Sequence, residues 1–119
     1  MTEKEIISIL QTIGEVCINY SEITKKYYVT MKNFSYIANY RWYSTMGILE
    51  HKDTPYEAIR AFYAEIIDCD EVVMNVNSLD RYETAKNIKV YKFEEGEFIN
   101  ITDNIKYKDR IYKYFEGWK

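Results

Sequence analysis

The stretch from Gly47 to Asp68 constrains this chain most, because it carries the strongest helix signal in the sequence. Thr54 suits the N-cap position, where its hydroxyl accepts a free backbone N–H of the first helical turn. Pro55 falls at the first helical position, where its missing N–H costs nothing, and Glu57 completes a capping box with Thr54. This start signal predicts a helix over residues 54–68.

One face of the predicted helix is apolar along its whole length. Apolar side chains recur at helical spacing, whereas charged side chains take the other faces. The apolar stripe consists of Ala58, Ile59, Phe62, Tyr63, Ile66 and Ile67. Such a stripe must be covered, and the aromatic-rich run before it is the nearest partner. We therefore expect the helix to pack on a sheet formed by that run.

The segment before this helix predicts one helix and three strands. A second capping box, Thr2 with Glu5, opens a helix over residues 3–13, and Gly14 is suited to end it. Alternating apolar residues then predict strands, and their short connections favour an antiparallel meander. The three strands cover residues 15–20, 26–34 and 37–46.

The segment after the helix predicts smaller elements. A strand or extended edge is expected over residues 71–77, and a short helix over residues 80–87. Residues 88–93 and 98–102 flank a turn in which Gly96 supplies a positive φ, as in a β-hairpin. The whole pattern predicts one α+β domain over residues 1–119: an antiparallel sheet with an α-β-β-β-α core, then a C-terminal hairpin and helix.

The predicted C-terminal helix begins at Asp103 and carries an apolar stripe. This stripe is either docked on the sheet or offered to a second copy of the chain as a homodimer interface. Basic residues on its other faces suit the negative end of the helix dipole. The stripe consists of Tyr107, Ile111, Tyr114 and Phe115.

Composition places the chain among globular proteins. Its 119 residues fit one domain, and 47% of them are hydrophobic, which is enough for a buried core. The sequence lacks the long apolar run of a membrane span, and its start lacks the features of a signal peptide. We therefore expect a cytoplasmic protein with no membrane partner, in which Cys17 and Cys69 are unpaired thiols.

Signals for catalysis are weak throughout the sequence. His51 is the single histidine, so no site with two histidine ligands can form. Neither cysteine has a local base beside it, and the four glycines form no phosphate-binding loop. We therefore expect a protein that is not an enzyme and that uses no cofactor and no metal.

The middle of the chain is acidic. Residues 50–103 carry six basic and thirteen acidic residues, whereas the segments on either side are net positive. The simplest explanation is a solvated face that keeps a small protein soluble. The alternative is an acidic, tyrosine-containing surface that binds a basic partner protein. The candidate residues for that surface are Asp68, Asp70, Glu71, Tyr82, Glu94, Glu95 and Glu97.

The run from Lys25 to Met46 has the opposite character. It contains four basic residues, seven aromatic residues and no acid. Basic residues interleaved with aromatic ones suit single-stranded nucleic acid, since phosphates need cations and bases need stacking surfaces. The simpler explanation is that half of these aromatic side chains are core, because a strand alternates faces. The candidate nucleic-acid residues are Lys25, Lys26, Lys32, Arg41, Tyr28, Tyr36 and Trp42.

Two resemblances bear on function. The order helix, three strands, helix resembles double-stranded-RNA-binding domains, but Thr54-Pro55-Tyr56-Glu57 lacks the lysines with which that family opens its second helix. The run that contains Trp42-Tyr43 and is followed by T-P-Y-E-A-I is similar to small phage and mobile-element proteins, including anti-CRISPR-type inhibitors and HicB-like antitoxins. That second resemblance implies a non-enzymatic protein that occupies a partner's surface.

The sequence therefore predicts a small inhibitor or adaptor that binds another protein, such as a nucleic-acid-binding effector, through its acidic, tyrosine-rich surface. The alternative is a module that binds single-stranded nucleic acid through the basic, aromatic run.

Overall fold

The structure is a computed structural model, and it describes residues 1–39, 41–44, 50–75 and 88–104. The predicted short helix over residues 80–87 lies outside the described residues. The predicted C-terminal helix also lies outside them, apart from its first two positions, Asp103 and Asn104.

The described elements alternate helices with runs of strands. Two helices and seven strands occur within the described ranges. In chain order they are α1 Glu3–Gln11, β1 Val16–Ser21, β2 Lys26–Met31, β3 Ser35–Ala38, β4 Arg41–Ser44, α2 Pro55–Ile67, β5 Glu71–Met74, β6 Lys89–Glu94 and β7 Glu97–Asn100.

The strands form two antiparallel sheets. Strands β1 and β2 pair with each other as a two-stranded sheet, and the other strands form a five-stranded sheet in the order β4-β3-β5-β6-β7. Strand β5 therefore lies between two hairpins, β3–β4 and β6–β7, although it follows α2 in the chain. The α+β class and the antiparallel pairing predicted from the sequence are confirmed.

Both helices begin where their caps predict. The Thr54 hydroxyl accepts the backbone N–H of Glu57 at 3.2 Å, and Pro55 occupies the first turn of α2. At α1 the complete capping box forms, with the Glu5 N–H bonded to the Thr2 hydroxyl at 3.2 Å. Because each cap satisfies an N–H that the helix leaves open, the chain enters both helices at defined residues.

The core lies where α2 meets α1 and the strands. Phe62 is 2% exposed, and its ring centroid is 5.6 Å from that of Phe34. The predicted stripe of α2 is confirmed as core at Ala58, Ile59, Phe62 and Ile66, which are all buried. The other members of the main buried cluster are Ile6, Leu10, Ile13, Val29, Met31, Phe34, Tyr36, Val72 and Met74.

The described residues between the helices form four strands where the sequence predicts three. The run predicted as one strand over residues 37–46 contains the end of β3, a turn and β4. Asn39 in that turn has φ 52°, a left-handed conformation that breaks the extended run. Strand β2 likewise ends at Met31 rather than residue 34, and Asn33 follows it with φ 54°.

The predicted C-terminal hairpin is confirmed. Strands β6 and β7 pair with Phe93 opposite Phe98 and Glu94 opposite Glu97. Gly96 lies in the turn with φ 85°, the backbone conformation for which glycine was expected. Neither α1 nor α2, the helices of the described ranges, is long and apolar enough to cross a membrane.

Candidate functional site

The topology brings three loops to one end of the five-stranded sheet. Strand β5 runs antiparallel to β3 and to β6, with Glu71 opposite Ile37 and Val72 opposite Tyr91. The start of β5 therefore lies beside the ends of β3 and β6. The α2–β5 loop, the β3–β4 turn and the β6–β7 turn meet there. We call this the acidic end, and its carboxylates belong to Glu65, Asp68, Asp70, Glu94, Glu95 and Glu97.

Two hydrogen bonds of Asp70 fix two of these loops to each other. The Asp70 N–H donates to the Ile37 carbonyl at 2.8 Å. The Asp70 carboxylate accepts the Asn39 backbone N–H at 3.1 Å. The α2–β5 loop is therefore held against the β3–β4 turn by a residue that supplies both a donor and an acceptor.

A cleft of about 350 Å³ opens between these two loops and the end of α2. Tyr36 and Tyr43 form one wall, where their rings stack with centroids 5.0 Å apart and an angle of 13° between planes. Three carboxylates also line it, so the cleft combines aromatic surface with negative charge. Its lining residues are Tyr36, Ala38, Asn39, Tyr43, Glu65, Asp68, Cys69 and Asp70.

The cleft carboxylates of Glu65 and Asp68 lie at the C-terminal end of α2, where negative charge is unfavourable. Asp68 is the C-cap, and no basic residue occupies the last turn. The helix dipole places partial negative charge there, so acidic side chains are repelled and basic ones would be stabilised. Burial raises the pKa of Glu65, and negative charge on Glu50, a hydrogen bond with Glu50 and negative charge on Asp68 raise it further.

Cys69 lines the cleft as a protonated thiol. Its Sγ–H donates to the Ile66 carbonyl at 2.9 Å. Burial first, and then the negative charge of Asp70, raise the pKa of the Cys69 thiol to about 12. Because the thiolate is the nucleophile, this cysteine is inert near neutral pH. Both cysteines are unpaired, as the sequence predicts.

Most of the predicted acidic surface is brought together. Asp68, Asp70, Glu94, Glu95 and Glu97 are all exposed and all lie at the acidic end. Lys92 also lies at this end, and its Nζ is 3.9 Å from a carboxylate oxygen of Glu94.

Two predicted members are not part of that exposed surface. Glu71 is 1% exposed, because all four residues of the central strand β5 are buried. Its assignment to the acidic surface is therefore wrong. Tyr82 lies outside the described residues.

Sequence reasoning missed Glu65 and Tyr43 as parts of the site. Glu65 lies three residues before Asp68, so both project from one side of the last helical turn. That spacing alone could have identified Glu65 as a neighbour of Asp68. Tyr43 carried no such signal, because its contact with Tyr36 depends on the pairing of β3 with β4.

The predicted nucleic-acid residues are not brought together. Lys25 and Lys26 lie at the β1–β2 turn, where Glu22 is 3.2 Å from the Lys25 Nζ and Asp53 is 3.8 Å from the Lys26 Nζ. Lys32 follows the opposite end of β2. A continuous basic track along this hairpin is therefore absent from the described residues.

The aromatic members of that set are also dispersed. Tyr28 is half-buried and stacks on His51, with ring centroids 4.8 Å apart and an angle of 10° between planes. Tyr36 is buried and lines the cleft at the acidic end. Arg41 and Trp42 begin β4, which pairs with the strand of Tyr36 at the acidic end of the sheet, whereas Lys25 and Tyr28 belong to the β1–β2 hairpin.

Within the described ranges, no group of three or more His, Cys, Asp or Glu side chains could hold a metal ion.

Comparisons with known proteins add no further assignment. The chain matches no family model, no curated protein and no solved structure.

Proposed function

We propose that this chain is a small non-enzymatic inhibitor or adaptor that acts in the cytoplasm and docks its acidic end on a basic surface of another protein. The observation that carries the proposal is the placement of Glu65 and Asp68 at the negative end of α2, beside the tyrosine-lined cleft. Acids there destabilise the free protein, since basic residues would be favoured at a helix C-terminus. Local arrangements that cost stability in this way occur most often at functional sites.

A basic partner would reverse this local cost. A lysine or arginine side chain entering the cleft would meet the carboxylates of Glu65 and Asp68 and the stacked rings of Tyr36 and Tyr43. A cation is attracted both by carboxylates and by the face of a tyrosine ring. The cleft therefore supplies the two kinds of contact that fix a basic side chain.

The exposed glutamates of the β6–β7 turn extend the same charge outward. Glu95 and Glu97 lie on the far side of the acidic end from the β3–β4 turn. Charges at the rim of an interface chiefly raise the association rate and select the sign of the partner. A nucleic-acid-binding effector presents such a basic surface, which agrees with the resemblance to phage-encoded inhibitors.

The test is a capture experiment with two charge-matched variants. One variant, Asp68→Lys/Glu95→Lys, reverses charge at the acidic end. Its control, Glu3→Lys/Glu22→Lys, makes the same change in net charge on α1 and on the β1–β2 turn, where both residues are exposed. Wild type and both variants are used to capture proteins from a bacterial lysate at moderate salt, and captured proteins are identified by mass spectrometry.

The proposal expects a basic protein that wild type and the control variant capture and the acidic-end variant does not. Capture that all three proteins share, or no specific capture by wild type, would count against it. A shift of single-stranded DNA or RNA by wild type at about 100 μM protein and low salt would instead support nucleic-acid binding.

A further inference from the structure

The hydrogen bonds between β2 and Lys52 determine which way the backbone N–H and C=O groups of β1 point. Tyr27 of β2 exchanges both backbone hydrogen bonds with Lys52, at 2.7 and 2.8 Å, so its N–H and C=O point away from β1. Tyr27 is paired with Tyr20, and antiparallel pairs alternate between bonded and non-bonded. The N–H and C=O groups of Val16, Ile18 and Tyr20 therefore point outward from the hairpin.

These outward groups form an edge without a neighbouring strand among the described residues. The same three residues place their side chains on the face that holds Val29 and Met31, which are buried. Ile18 is nevertheless 43% exposed and Tyr20 is 45% exposed. Strand β1 also contains no charge, proline or glycine, the residues that normally protect an edge from pairing.

We propose that the outer edge of β1 pairs antiparallel with β1 of a second copy of this chain. A two-fold axis between the two Ile18 residues places Val16 of each copy opposite Tyr20 of the other. All three outward residues of each strand then find a partner, and six backbone hydrogen bonds form. Shifting the register by two residues in either direction leaves at least one outward residue of each copy without a partner.

This register is self-complementary in its side chains. The two Ile18 side chains lie together on the core face, with Val16 and Tyr20 of opposite copies on either side. The two-stranded sheet becomes a four-stranded sheet, which is a more stable unit than an isolated hairpin. The pairing thereby covers the exposed part of the apolar face.

Charge complementarity also favours a second copy. In this register Glu15 faces Ser21 of the second copy, and Ser21 is paired with Lys26 within that copy. Glu15 and that Lys26 lie on the same face, with backbones roughly 10 Å apart across two strand spacings, within reach of two long side chains. Glu22 faces Gly14, so the register opposes no two like charges.

The dimer does not depend on the proposed function, because it uses another part of the fold. The ion pair between Lys26 and Asp53 places the β1–β2 turn near the start of α2. Asp68 follows the end of that helix, whose thirteen residues span roughly 20 Å. A dimer through β1 would therefore leave both acidic ends uncovered and would present two of them.

Sedimentation velocity of the intact chain between about 10 μM and 1 mM tests the pairing, since a short interface implies modest affinity. Wild type should shift from monomer to dimer over this range. Ile18→Lys should raise the dimer dissociation constant about tenfold or more, because lysine blunts an edge strand. Ile99→Lys is the matched control, an exposed isoleucine on the edge strand β7, and should leave dimerisation unchanged.

A charge-swap mixture tests the register. Glu15→Lys and Lys26→Glu should each weaken self-association, whereas an equimolar mixture should dimerise, because both intermolecular pairs regain opposite charges. Circular dichroism checks that each variant is folded. A wild type that stays monomeric at about 1 mM would overturn the proposal. So would a dimer that Ile18→Lys leaves intact, or one that Ile99→Lys disrupts equally.

Discussion

The Asp70 carboxylate accepts the backbone N–H of Asn39 at 3.1 Å, which joins the α2–β5 loop to the β3–β4 turn. Asn39 has φ 52°, and its N–H is directed at Asp70 in that conformation. The two aspartates of the loop therefore have different roles. Asp70 holds the α2–β5 loop against the β3–β4 turn, whereas Asp68 is an exposed carboxylate that our proposal assigns to partner contact.

Asp70→Ala should lower the free energy of unfolding by about 1–2 kcal/mol, because it removes a charged acceptor from a backbone donor. Asp68→Ala is the matched control in the same loop and should cause no comparable loss. Urea unfolding of both variants measures the difference. Equal stabilities would show that the bond to Asn39 contributes nothing to the fold.

Phe62→Ala should lower the free energy of unfolding by about 3–5 kcal/mol, because it leaves a cavity where α2 packs on Phe34. Arg60→Ala, on the exposed side of the same helix, controls for loss of a side chain from α2. Thermal melts followed by circular dichroism provide the measurement. An unchanged melting temperature for Phe62→Ala would remove this residue from the core.

Asp68→Lys should raise the stability of the isolated protein by about 0.5–1 kcal/mol, since it replaces an acid with a base at the helix C-terminus. The same substitution should weaken binding of a basic partner. Chemical denaturation measures the first effect, and capture of the partner measures the second. A variant that loses both stability and binding would indicate a structural role for Asp68 instead.

Glu65→Gln should change the dependence of stability on pH. The pKa of Glu65 is raised in the folded state, so the folded protein holds this proton more tightly than the unfolded chain. The stabilising contribution is thus complete below the unfolded pKa, near 4.5, and is lost as pH rises through the raised folded pKa. Wild type should therefore lose stability relative to Glu65→Gln between pH 4 and pH 7.

Melting temperatures of both proteins across that pH range test this sign. At pH 7 the glutamine variant should melt about 1–3 °C higher, because the partly buried charge of Glu65 and its repulsion from Glu50 and Asp68 are gone. A difference that stays constant with pH would show that Glu65 does not titrate differently in the two states.

Cys69 should resist alkylation in the folded protein. Its pKa of about 12 leaves very little thiolate at pH 8, and iodoacetamide reacts with the thiolate. In a Cys17→Ser background, the folded chain should react about a thousandfold more slowly than the same chain in urea. Equal rates in the two conditions would contradict the burial of this thiol.

The elements that were correctly predicted from the sequence are those specified by local signals. The start of α2 is set by Thr54 and Pro55, and the β6–β7 turn by Gly96, so each is specified by a few adjacent residues. The break between β3 and β4 was missed because an asparagine, Asn39, takes the left-handed conformation there. Asparagine tolerates that conformation but also occurs elsewhere, so it is a weaker turn signal than glycine.

The site was only partly predictable because it depends on pairing between distant strands. Glu71 stands beside Asp70 in the sequence, yet only the insertion of β5 between β3 and β6 decides that Glu71 is buried. The same pairing brings Glu95 towards Asp68. Charge counts identified the acidic segment, whereas its convergence into one surface required the sheet order.

The insertion of β5 also has a consequence for the order of folding. The β3–β4 and β6–β7 hairpins each close over short turns, but Ser35 pairs with Val73 across β4 and the whole of α2. Closing so long a loop costs entropy before any contact compensates it, so such pairings form slowly. We expect the hairpins to form early as separate units and β5 to join them in the rate-limiting step. A chain in which β5 has not yet joined the hairpins contains every carboxylate of the acidic end, but those carboxylates do not yet form one surface.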